Sequence, residues 1–220
     1  MDPIFLIFIG VFLVVIVLSI LQAQRRKQEM RAYAQSKGLQ YHEGNHRDFD
    51  RRFPAFSCLQ RGHGRYASNV IIGELGPFAV CLFDYRYKTG SGKNETTHNF
   101  SAVMLDTGMP LQPLLIRQES FFDKVGEFLG FDDIDFESQE FSSKFFVKSP
   151  NKKWAYDILH QKAMEYLLLA PAFTIEFQGS TIMAYRDKRF SIADFDAALT
   201  VIQDLVQLFP DYLLREWKGK

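Results

Sequence analysis

The stretch NVIIGELGPFAVCLFDYRYK, residues 69–88, carries the pattern that decides the fold. Its period is two. Residues 69–75 are rich in Val and Ile, Gly76-Pro77 marks a tight turn, and residues 78–88 resume the alternation. In the second run Phe78, Val80 and Leu82 share one face, and Cys81, Phe83, Tyr85 and Tyr87 share the other. Both faces begin apolar, which predicts a central strand. A glycine-rich loop, 89–94, leads to a third run at 96–106, so an antiparallel meander is expected here. Residues 114–117, after Pro110 and Pro113, are a candidate fourth strand.

Toward the C-terminus the periods mix. Residues 120–129 place Phe121, Phe122, Val125, Phe128 and Leu129 on one helical face, and 141–148 read as a strand. Ser149-Pro150 offers an N-cap and a first-turn proline for a helix over 151–169, with Ala155, Ile158, Leu159, Ala163, Tyr166 and Leu167 inward. Residues 173–178 and 181–186 form a hairpin around Gly179-Ser180. Ser191 and Asp194 then fit a capping box, and Phe195, Ala198, Leu199, Ile202, Leu205, Val206 and Phe209 recur at helical spacing up to Pro210. Strands first, then strands mixed with helices, predict an α+β fold: a mainly antiparallel sheet packed with two or three helices.

Toward the N-terminus, Gly62-His63-Gly64 reads as a turn and 47–52 as a short helix before Pro54. Ahead of these, residues 4–21 contain no charge, and 16 of the 18 are Ile, Leu, Val or Phe. At 1.5 Å per residue the run spans about 27 Å, close to the hydrocarbon thickness of a bilayer. Its composition favours insertion by roughly 5–10 kcal/mol. A cleaved signal peptide needs basic residues before the run and small residues after it; here Met1-Asp2-Pro3 precedes and Leu21-Gln22-Ala23-Gln24 follows. The division expected is a transmembrane anchor at 1–22, a juxtamembrane helical stem at 23–38 and a soluble α+β domain at 39–220. Arg25, Arg26, Lys27, Arg31 and Lys37 follow the run and no Lys or Arg precedes it, so the N-terminus is expected outside and the domain in the cytoplasm. Two glycosylation triplets, at Asn94 and Asn99, point the other way and are inert in a cytoplasmic domain.

Composition narrows the function. The 26 basic and 26 acidic residues cancel, which leaves no domain-wide basic field for nucleic acid. Phe supplies 22 of 33 aromatic residues, enough for a large core. The two cysteines, Cys58 and Cys81, form no CxxC, and Cys81 falls inside an apolar strand pattern, as buried reduced thiols do.

Each tempting motif meets a chemical objection. Gly90-Ser91-Gly92-Lys93 suggests a phosphate loop, but Tyr87 stands where the first glycine belongs, Asn94 follows the lysine, and a strand follows where a helix is required. His42, His46, Cys58 and His63 are permitted zinc ligands at a spacing that matches no standard site. The acidic run 132–137 lacks the ligand order of a calcium loop. No nucleophile elbow surrounds Ser57-Cys58, and a thiol–base pair of Cys58 with His63 or His98 is only an assembly on paper. No catalytic, cofactor or metal residue is therefore assigned, and no cofactor is expected.

The strings FSSKFFVKSPNKKWAYDILHQKAMEYLLL, RGHGRYASNVIIGEL and FDYRYKTGSGKNETTH resemble uncharacterised bacterial membrane proteins in which N-terminal helices precede a domain of unknown function. The resemblance implies an inner-membrane protein with a cytoplasmic domain and assigns no activity. The expectation is a membrane-tethered, non-enzymatic interaction or accessory module. Its partners are the bilayer, through the N-terminal helix, and an unidentified protein. The alternatives are a small-ligand or lipid-headgroup binding domain and a hydrolase-like enzyme using Cys58 with His63 or His98.

Overall fold

The computed structural model describes residues 3–118 and 134–218. Eight strands form one sheet: β1 Gln40–His46, β2 His63–Leu75, β3 Phe78–Thr89, β4 Thr96–Asp106, β5 Leu114–Gln118, β6 Phe145–Lys148, β7 Thr174–Gln178 and β8 Thr181–Arg186. Their spatial order is β1-β2-β3-β4-β8-β7-β5-β6, and every neighbouring pair is antiparallel. The chain is α+β, with the meander β2-β3-β4 in the interior of the sheet beside the edge strand β1.

The alternation read in β3 separates two cores. Phe78, Val80 and Leu82 join the larger one, beneath the helices, while Phe83, Tyr85 and Tyr87 join a second, aromatic one on the opposite face. That second core is closed by α2 (Phe49–Arg52), the 3-10 turn Ser57–Gln60 and Phe56 just before that turn, with Phe49, Cys58 and Leu59 also buried in it.

Helix α1 runs unbroken from Pro3 to Ser36. It ends where Gly38 adopts φ +69°, and the Leu39 N–H bonds the Ala34 carbonyl while the Gly38 N–H bonds that of Gln35. This is a Schellman cap, in which a glycine takes the left-handed position. The stem is not a free spacer: Met30, Tyr33 and Ala34 are buried in the larger core. Along 8–21 the apolar side chains are exposed, from Phe8 at 70% to Ile16 at 38%, unlike those of a core helix.

Several local readings need correction. β1 was not foreseen, because its sequence QYHEGNH has no apolar alternation; the turn at Gly38 lays it along β2. β2 begins at His63, not after a turn at 62–64. The run 141–148 is half helix: α3 Gln139–Lys144 precedes β6, capped by the Ser138 side chain. The helix expected over 151–169 is two, α4 Lys152–Ile158 and α5 Gln161–Leu169. Asn151, not Ser149, caps α4, and Ser149 donates instead to the Pro113 carbonyl. At the break, His160 Nε2 lies 2.7 Å from the Leu208 carbonyl. α6 Ile192–Gln207 has the capping box of Ser191 and Asp194, and α7 Asp211–Lys218 follows it unforeseen. The helix expected at 120–129 and the start of the acidic run, Asp132-Asp133, lie outside the described residues. Further along that run Ile134 and Phe136 are buried, so it is not simply a solvated loop.

Candidate functional site

Two polar clusters stand out, one on each side of the sheet. The first joins α1 to the strands. Asp84, on β3, faces the helical side and is 2% exposed. Arg26 donates from Nε at 3.0 Å and from Nη2 at 2.8 Å; Asn69 Nδ2 donates at 2.9 Å, and Ser101 Oγ also donates. Ser101 Oγ in turn accepts the Phe190 N–H, and Asn69 Oδ1 accepts the Tyr41 hydroxyl. Asn69 has φ +50°, at a bulge in β2 between Ser68 and Ile71, a conformation that asparagine tolerates better than most residues. Burial alone would raise the Asp84 carboxyl; the bonds and charge of Arg26, with Ser101 and Asn69, outweigh it and hold it below its ordinary range. Three of the other four basic residues after the apolar run are paired too: Lys27 and Arg31 with Glu43, Lys37 with Asp196.

The second cluster lies behind a cleft of about 370 Å³ lined by Arg61, Tyr87, Thr97, His98, Asn99, Phe100 and Asp187. Gly62, at φ +58°, brings Arg61 into it. A Cβ on Gly62 would sit 2.0 Å from the Lys88 carbonyl oxygen, so only glycine allows this approach. Arg61 Nη1 bonds Asp187 at 2.9 Å, and the rings of Tyr87 and His98 stack at 4.8 Å. Arg61 Nη2, Tyr185 Oη and Glu176 Oε2 are buried and have no hydrogen-bond partner among the described residues. Burial pushes the Glu176 carboxyl up to about 7, against the opposing pull of Gln178, Ser57 and Arg61. The arrangement suits hydrogen-bonding recognition of a small polar group.

It does not suit covalent catalysis. Cys58 is fully buried, and burial, with Glu176 nearby, pushes its thiol well above the ordinary range, away from the reactive thiolate. His98 Nε2 is engaged with Thr89 Oγ1 at 2.7 Å, and His63, on the surface, lies 3.7 Å from Glu95. The structure does not assemble the pair of Cys58 with His63 or His98: burial holds the thiol protonated, His98 is engaged with Thr89, and His63 lies by Glu95. His42, His46, Cys58 and His63 are spread over β1, the 3-10 turn and the start of β2, and no three His, Cys, Asp or Glu among the described residues converge as metal ligands. The loop 89–94 holds a 3-10 turn, Gly92–Asn94, followed by strand β4. Sequence reading missed Arg26, Asp84, Arg61 and Glu176 as a set. A signal existed: Asp84 in CLFDYRY and Glu176 in FTIEFQ are acidic residues inside apolar strands.

The class defined by these features is an antiparallel α+β fold carrying, among the described residues, one helix long and apolar enough to cross a membrane. A solved structure of this fold is that of the mycobacterial trehalose monomycolate transport factor A, TtfA. It aligns with a TM-score of 0.63 over 84% of this chain and 96% of its own, at 14% identity. At that identity the likeness is one of fold. No protein-family profile matches the chain, and no curated protein does.

Proposed function

We propose that the protein is a membrane-tethered, non-enzymatic accessory module of a bacterial inner membrane, with its N-terminus outside and its domain in the cytoplasm. The observation that carries the reading is the division of α1: its apolar half is exposed, and its basic half is built into the core through Arg26 and Asp84. Such a helix does not swing; it sets the domain rigidly against the bilayer. The pairing of Arg26, Lys27, Arg31 and Lys37 does not weaken the orientation argument, because topology is decided on the nascent chain before those pairs form. Likeness in fold to a protein named as a transport factor is compatible with an accessory role. The test is direct. The full chain should stay with membranes through alkaline carbonate, and a reporter fused after Lys220 should behave as cytoplasmic. Release by carbonate overturns the anchor; a periplasmic reporter, or a glycan on Asn94 in a glycosylating host, overturns the orientation.

A second reading is favoured by the cleft, where Arg61 Nη2 is buried without a partner. It is binding of a small polar ligand or lipid headgroup there. Calorimetry of the detergent-solubilised chain with glycerol phosphate should show binding that Arg61→Ala abolishes; heat unchanged by the substitution argues against the cleft.

A further inference from the structure

The sheet has an unfilled place. β4 pairs with β3 along its whole length, from Thr96 opposite Thr89 to Asp106 opposite Ala79, but with β8 only from Ser101 to Asp106. β8 ends at Arg186, opposite Ser101, so residues 96–100 of β4 form an open edge. Register fixes where their backbone groups point. The N–H groups of Ser101 and Thr107 both face the β8 side, where they bond the carbonyls of Lys188 and Ser180. The pairing of β4 with β3 contains no bulge, so backbone direction alternates, and Thr97 and Asn99 present their N–H and C=O to that same side. Among the described residues, no hydrogen bond reaches those groups.

The cleft follows this edge: Thr97, His98, Asn99 and Phe100 all line it. Its two flanks differ. Thr97 and Asn99 turn their side chains to the helical side, as Ser101 does toward Asp84. There Arg189 Nη2 donates to Asn99 Oδ1 at 3.2 Å, and Arg86 Nη2 to Thr97 Oγ1 at 3.5 Å. Neither arginine forms an ion pair among the described residues. On the other flank lie Phe100 and the His98 ring, stacked on Tyr87, with Arg61, whose charge Asp187 already meets.

We propose that the open edge of β4 binds an extended segment of a partner protein, which adds as an antiparallel strand in the line of β8 and carries acidic residues at alternate positions. The proposal gives the accessory reading its partner and rests on that reading. Backbone chemistry selects a polypeptide: the open groups recur about every 6.8 Å, a spacing that an extended chain meets with its own C=O and N–H. Charge selects the sequence. Residues paired with Thr97 and Asn99 across the ladder share their face, so acids there meet Arg86 and Arg189, while the intervening side chains meet Phe100 and the His98 ring. A second copy of the chain would bring the same arginines to the pair, and like charges oppose that association.

The test titrates the full detergent-solubilised chain into fluorescein-labelled heptapeptides that alternate glutamate with valine, threonine or phenylalanine, read by anisotropy. Micromolar binding is expected from this set and not from the same peptides with lysine for glutamate. Methylating the glutamate amide nitrogens should abolish binding, because those N–H groups face β4; methylating the intervening nitrogens, on the outer edge, should leave it. Arg189→Glu should weaken it several-fold. Thr97→Pro removes one outward N–H without touching the β3 ladder and should abolish binding, while Thr97→Val should keep it. The peptide series decides even if Thr97→Pro does not fold. Absence of binding up to millimolar peptide, indifference to the methylation pattern, or equal binding of the lysine peptides overturns the proposal. So does heat from glycerol phosphate that Arg61→Ala removes with no peptide bound, which favours the small ligand in the same cleft. Release of the chain from membranes by carbonate overturns the accessory reading and this proposal with it; a retained chain that fails the peptide titration overturns the proposal alone.

Discussion

Arg26 grips Asp84 at two points, Nε to Oδ2 at 3.0 Å and Nη2 to Oδ1 at 2.8 Å, across 58 residues of sequence. The pair ties the first helix to the third strand. A buried pair of this kind contributes little against a well-packed apolar replacement, yet breaking one side leaves an uncompensated charge. Asp84→Ala and Arg26→Ala should each destabilise by about 3–5 kcal/mol, and the double variant by clearly less than the sum, in denaturant titrations of the detergent-solubilised chain. Additive losses would mean the two do not act as a unit. Because the folded Asp84 carboxyl lies below its ordinary 3.8, its contribution is present above that pH and disappears as pH falls through the lowered value.

Glu176 has the opposite sign. Its carboxyl is raised from 4.5 to about 7, so its stabilising contribution is full below the unfolded value and is lost as pH rises through about 7. Above that, the folded state carries a buried charge worth about 3 kcal/mol of destabilisation. Glu176→Gln should therefore stabilise the protein at about pH 8, with little effect at about pH 4, and flatten the intervening slope. An unfolding midpoint that falls at alkaline pH would show that the carboxylate is satisfied in the folded state.

Ile202, at the centre of the α6 stripe, is completely buried against the sheet. Ile202→Ala should cost about 2–5 kcal/mol. Thr200→Ala, on the exposed side of the same helix, should stay within about half a kcal/mol. Equal effects at both positions would contradict the packing of α6.

Lys93 is exposed in the 3-10 turn before β4, with no helix N-terminus to gather phosphate oxygens. Lys93→Ala should leave stability unchanged, and calorimetry with ATP or GTP should register no binding to either form. Micromolar nucleotide affinity lost in the variant would reopen a phosphate-loop reading.

The sequence by itself determined the elements whose signal is local. The period-two alternation of β3 and the uncharged run at 4–21 identify themselves, because side-chain direction and hydrophobic length are properties of consecutive residues. The capping box of α6 does the same, since its partners are three residues apart. Elements held by their neighbours were not legible: β1 is a strand because α1 turns it onto β2, and the helix at 151–169 breaks where His160 reaches the Leu208 carbonyl. Among the candidate sites, the sequence showed two acids misplaced in apolar strands but not their partners. Arg26 lies 58 positions from Asp84, and Arg61 reaches the Glu176 cluster from another element, so only the tertiary structure joins them.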